Sequence, residues 1–199
     1  VIDYRADHSF RIPRPDFSIK LGGPNACNRC HVDKTDQWSD EYITKWYGPG
    51  RRAHYGMIID EGRNRSPLAH QNLIKLASDP LYPVIVRYTA LSLLSAYPRK
   101  ETTQAYELAL MDDEALIRRT AVDHLNASDA NRQTELLTSM LYDPVKAVRI
   151  EAARLLAEDP SLQLGPALRK VYEATLEEYK ASMDYSADFA FARYNLANL

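Results

Sequence analysis

The sequence predicts an all-α protein built from an irregular amino-terminal arm followed by a stack of paired helices. Three observations predict it. Residues 1 to about 35 carry Pro13 and Pro15 two apart and the turn signal "LGGP", a pattern that favours extended chain over helix. From about residue 66 three segments repeat, "PVIVRYTALSLL", "EALIRRTAVDHL" and "VKAVRIEAARLL", with Arg87, Arg118 and Arg149 spaced 31 apart. No segment reads as a strand.

Taken in order, the first clear helix follows the arm. Thr35 or Asp36 caps it, Trp38, Tyr42, Ile43 and Trp46 line one face, and Gly48 stops it. The loop "GPGRR" separates this segment, 1–48, from the repeats, 49–160. In the repeats Val86, Ile117 and Val148, then Ala90, Ala121 and Ala152, then Leu94, Leu125 and Leu156 keep the 31-residue step of the arginines. Each repeated helix pairs with an earlier one: "LAHQNLIKLA", "TTQAYELALM" and "RQTELLTSML". Between the two lies Asp79-Pro80, Asp112-Asp113 or Asp143-Pro144, where Asp is expected to cap the second helix and Pro to fit its first turn. Neither helix of a pair can bury its apolar stripe alone, so neighbours are expected to stack. Residues 161–199 predict a long helix, a polar break near Asp184 and a second helix, leaving an apolar end exposed or covered by another chain.

Composition bounds the partners. The 199 residues carry a formal net charge of −2, which gives no polyanion-binding signal, so nucleic acid is not expected. No apolar run reaches the 18 or more residues that a membrane span needs. The opening "VIDYRADHSF" has no leader character and reads as a cut end, with any secretory leader expected upstream. Glycine is scarce, and neither a phosphate-binding glycine loop nor the zinc-protease or serine-hydrolase signatures occur.

The chain's two cysteines stand in "PNACNRCHVDKTDQW" as C-x-x-C with a histidine directly behind. Two thiols two residues apart can add to the two vinyl groups of a haem, and the next histidine then reaches the iron, which is why C-x-x-C-H reads as c-type haem attachment. Cys27 and Cys30 would form the thioether bonds and His31 would be the proximal ligand. The rival readings are a zinc site, which lacks further ligands at suitable spacing, and a redox disulfide, which lacks the βαβ context such motifs use. The sixth iron ligand decides between closed electron transfer and an open, reactive iron. His8, in the arm with no core to explain it, is the first candidate, His54 the second, and Met57 a weaker thioether alternative. His124 falls in the repeat column of Leu93 and Leu155, and His70 lies on an inward helix face, so both are expected in the core. Trp38, Tyr42 and Trp46 offer flat apolar surface for a haem pocket or, alternatively, for ordinary packing.

Three resemblances extend this reading. The pattern "DPVKAVRIEAARLL", matched in part by its two companions, resembles HEAT repeats over residues 66 to 158, which implies an α-solenoid; in that family recurrent Asp and Arg form a ladder between units, and Arg87, Arg118 and Arg149 would supply it here. "FARYNLANL" looks like the first helix of a tetratricopeptide unit. The arm "DHSFRIPRPD" followed by "PNACNRCH" resembles large periplasmic multihaem cytochromes c that join several C-x-x-C-H motifs to such repeats. That resemblance implies haem c, a periplasmic or extracellular location, and redox proteins or further haem-bearing segments as partners. It also places a further motif upstream, so His8 would serve either this haem or a preceding one. The expected function is electron transfer by a non-catalytic carrier. The alternatives are a domain of a haem-dependent reductase, or a protein-interaction solenoid in which the haem is structural.

Overall fold

The computed structural model describes residues 13–127 and 129–199. His8 and the rest of the first twelve residues lie outside the described residues. What is described is all-helical, with no strand: α1 Pro15–Leu21, α2 Asp36–Tyr47, α3 Tyr55–Arg63, α4 Ala69–Ser78, α5 Val84–Leu93, α6 Lys100–Ala109, α7 Ala115–Asp123, α8 Ala130–Met140, α9 Lys146–Ala157, α10 Pro166–Tyr185 and α11 Ala190–Ala197. The chain forms two compact units that divide between Met57 and Ile58. Among the described residues no helix is long and apolar enough to cross a membrane.

In the first unit the proline pair has a different consequence from the one expected. Pro15 opens α1 at its first position, where its missing N–H costs nothing and its fixed φ suits the helix. Gly22, at φ 65°, ends α1 in the left-handed conformation that "LGGP" signals, with its N–H donating to Ser18 O. α1 packs against α2. Thr35 caps α2 by accepting from Trp38 N–H at 3.2 Å, and Gly48 N–H closes its far end on Thr44 O.

In the second unit α4 pairs with α5, α6 with α7 and α8 with α9, while α5, α7 and α9 pack in sequence and α10 continues onto α9. The 31-residue columns form its core. Val86, Ile117 and Val148 are buried, as are Leu94, Leu125 and Leu156, and Ala90, Ala121 and Ala152 are each 0% exposed. Those alanines sit where neighbouring helices approach each other with no room for a larger side chain. Arg87 pairs with Asp112 and donates to Ala77 O at 2.9 Å. Arg118 holds Asp143 through Nε at 2.6 Å and Nη2 at 3.0 Å. Arg149 holds Glu178 of α10 at 2.8 and 3.1 Å. Arg118 and Arg149 also donate to the carbonyls of the preceding turns, at Asp112 and Asp113 and at Pro144.

Two expectations are corrected here. The recurrent aspartates do not cap the second helices. Asp79, Asp112 and Asp143 accept from the N–H two residues on, at Leu81, Glu114 and Val145, and the helices begin further along. Their carboxylates instead fix the turn, and Asp112 and Asp143 also receive the arginine of the preceding pair. His124 is not a core residue: it ends α7 with its side chain 29% exposed. His70 is buried and bonds Thr102 Oγ1 at 2.9 Å. At the end of α10 and beyond it, Tyr185, Phe189, Phe191 and Tyr194 are exposed.

Candidate functional site

The C-x-x-C-H segment folds as one tight helical turn. Cys30 N–H and His31 N–H both donate to Cys27 O, at 3.2 and 2.9 Å, so the two thiols and the imidazole issue from a single turn. Both thiols are free; Cys27 is half-buried and Cys30 exposed. Two asparagines tie the turn to the start of α2. Asn25 Oδ1 accepts from Cys27 N–H at 3.0 Å while its Nδ2 donates to Asp36 at 2.8 Å. Asn28 Nδ2 donates to Lys34 O at 2.8 Å, and Asn28 Oδ1 accepts from Ser39 Oγ at 3.2 Å. Ser39 is the one residue of α2 that is fully buried, which anchors the helix under the turn. Sequence reasoning passed over both asparagines; the signal available was Asn two residues before Cys27, the spacing of an Asx turn.

Aromatic rings continue from the turn along α2. The His31 ring lies 5.0 Å from Trp38, Trp38 lies 4.8 Å from Tyr42, and Tyr42 lies 5.5 Å from Trp46. Steps of four residues put these three on one face of the helix. That face is not packed into a core: Tyr42 is 38% and Trp46 64% exposed. A row of rings tilted 44–64° to one another therefore starts at His31 and runs along α2 to Trp46. Beside it, Lys34 holds the Asp33 carboxyl below its usual range.

The structure does not bring His54 to this surface. His54 and Met57 line a cleft of about 560 Å³ together with Asp40 and Thr44, which lie on the opposite side of α2 from Trp38 and Tyr42. The His54 ring rests 5.1 Å from Phe17, and its Nδ1 accepts from Gly56 N–H at 3.0 Å. With Nδ1 as acceptor, the neutral ring carries its proton on Nε2. Binding a metal through Nε2 would require that proton to move to Nδ1, against the Gly56 N–H.

Among the described residues no group of three or more His, Cys, Asp or Glu side chains is placed to hold a metal ion. The donor set nonetheless fits a covalently held haem. Two accessible thiols leave one turn, an accessible imidazole follows them, and an uncovered aromatic face adjoins it.

No family model matches the chain, and no curated protein matches it in sequence.

Proposed function

We propose that this chain is an electron-transfer module of a multihaem cytochrome c, working in the periplasm or outside the cell, with its helical pairs forming a HEAT-like α-solenoid. A bound haem would supply one-electron chemistry whose potential is set by axial ligand, burial and hydrogen bonding. The chain's own residues have separable tasks. Cys27 and Cys30 tether, His31 binds the metal, and Asn25 and Asn28 hold the turn so that these three groups leave it together. Trp38, Tyr42 and Trp46 present the apolar surface that excludes water on that side. The observation that carries the reading is the chain's only two cysteines and an adjoining histidine sharing one turn, next to an aromatic face on which Tyr42 and Trp46 are exposed.

The test is intact mass combined with a pyridine haemochrome spectrum, on chain expressed in a host that attaches haem to C-x-x-C-H motifs. The expected result is one haem per chain, resistant to acid-acetone extraction, and absent from a Cys27→Ser/Cys30→Ser variant. Free thiols, a bound zinc ion or a plain cystine in the recovered protein would overturn the proposal.

A second reading draws on the helical stack. Leu81, Leu108, Met111 and Tyr142 are each more than 60% exposed, and such surface on stacked repeats commonly serves protein binding. A partner retained equally well by the Cys27→Ser/Cys30→Ser variant would favour this reading.

A further inference from the structure

The first unit holds a charged cleft that the redox reading does not use. Among the described residues, the charged groups that line it are Arg14, Lys20, Arg51 and Arg52 with Asp16 and Asp40. The two carboxylates are unequally engaged. Asp16 is fully occupied, taking two 2.8 Å bonds from Arg14, whose guanidinium also stacks 3.9 Å from the Phe17 ring centroid. Asp40 makes a loose contact with Arg51 at 3.4 Å. Arg51 is steadied by Thr44 Oγ1 at 3.0 Å and Gly48 O at 2.6 Å, yet its Nε–H is buried without an acceptor. A buried donor left without an acceptor is costly, so among the described residues Arg51 is incompletely satisfied. Lys20 and Arg52 are exposed, and among the described residues neither side chain has an ion-pair partner. The uncharged lining is mostly apolar, with Phe17, Ile19, Pro49, Ala53 and Met57 beside the polar Thr44 and His54.

We propose that this cleft binds an organic dianion: carboxylate groups carried on an apolar body, held by Arg51, Arg52 and Lys20 over Phe17 and Met57. Charge alone would suit inorganic phosphate as well. The volume of about 560 Å³ lies in the range that takes a small organic ligand, and the Phe17 and Met57 surface rewards an apolar body that phosphate lacks. The field that an incoming carboxylate would meet is already legible at Asp16, which the Arg14 bond, with Arg51 and Lys20 at longer range, holds below the usual carboxylate range against the effect of burial. The site does not depend on haem.

The test is calorimetric titration of the intact chain with benzene-1,3-dicarboxylate, with its neutral diamide and with inorganic phosphate, all at matched ionic strength. The expected result is saturable binding of the dicarboxylate and none of the diamide, with phosphate at least about tenfold weaker. A Lys20→Gln/Arg52→Gln variant, altered only at exposed positions, is expected to keep its thermal unfolding and to bind the dicarboxylate about tenfold more weakly. Non-saturable binding, equal affinity in the variant, or equal affinity for the diamide would overturn the proposal. Phosphate binding as tightly as the dicarboxylate would overturn its organic part.

Discussion

At the scale of single residues, the histidines separate by what their second nitrogen does. His31 stands exposed at the end of the cysteine turn, with its ring against Trp38. His54 has its Nδ1 committed to Gly56 N–H, which makes iron ligation through Nε2 a competitor of that bond. The haem reading therefore predicts different spectra for three variants. His31→Ala removes the low-spin haem signature. His54→Gln leaves it unchanged. His8→Ala leaves an open, high-spin iron that takes up carbon monoxide on reduction, if His8 is the sixth ligand to this haem. Low-spin character lost in His54→Gln and kept in His8→Ala would reverse the assignment. The C-x-x-C-H motif, Cys27 to His31, was legible in the sequence because its three defining residues fall within five positions. The tautomer of His54 was not, since it depends on a backbone N–H two residues away and on a loop conformation that no spacing rule specifies.

At the scale of elements, the repeat columns argue most strongly. Ala90, Ala121 and Ala152 have no exposed surface, and α7 packs against both α5 and α9. Ala121→Leu is therefore expected to destabilise the protein by about 1–3 kcal/mol through overpacking, read as a lower urea midpoint with the slope unchanged. Ala115→Leu, at the first position of the same helix and only partly buried, is expected to stay within about 0.5 kcal/mol of the parent. The columns could be read from sequence because each stacked helix must present the same size of side chain at the same height. Partner identity was less accessible. Arg87 and Arg118 find their carboxylates 25 residues on, whereas Arg149 finds Glu178 at 29, because α10 replaces the turn that would have carried the next aspartate. The short helix α1 was hidden for a local reason: Pro15 breaks a helix from inside and begins one from its first position. Likewise Asp before a helix reads as a cap until the turn between them is seen to use the carboxylate first.

At the scale of the whole molecule, His70 and the paired carboxylates act in one direction on acidification. Burial, with the nearby Arg99 cation adding to it and Glu101 opposing, lowers the His70 pKa. The folded protein thus favours neutral His70, the unfolded chain binds more protons, and stability is lost as pH falls below about 6.5. The ring also donates to Thr102 Oγ1, whose hydroxyl in turn donates to Tyr97 O at 2.6 Å. The carboxylates act at lower pH. Burial raises Asp143, but the Arg118 bond, the Val145 N–H and the Arg149 charge outweigh it and leave the pKa lowered. Asp16 and Glu178 are lowered chiefly by their bonds to Arg14 and Arg149. A lowered carboxyl stabilises above its unfolded value and loses that contribution as pH falls through the folded one, so these groups matter below about pH 4. Thermal unfolding followed by far-UV circular dichroism is therefore expected to show a midpoint that is flat near neutrality and falls in two stages on acidification. His70→Gln should remove the first stage and leave the second. Asp143→Asn should lower the neutral plateau, because it leaves Arg118 without its counter-charge, and should shrink the second stage. An unaltered first stage in His70→Gln would show that some other group, and not this buried imidazole, couples folding to pH above the carboxylate range.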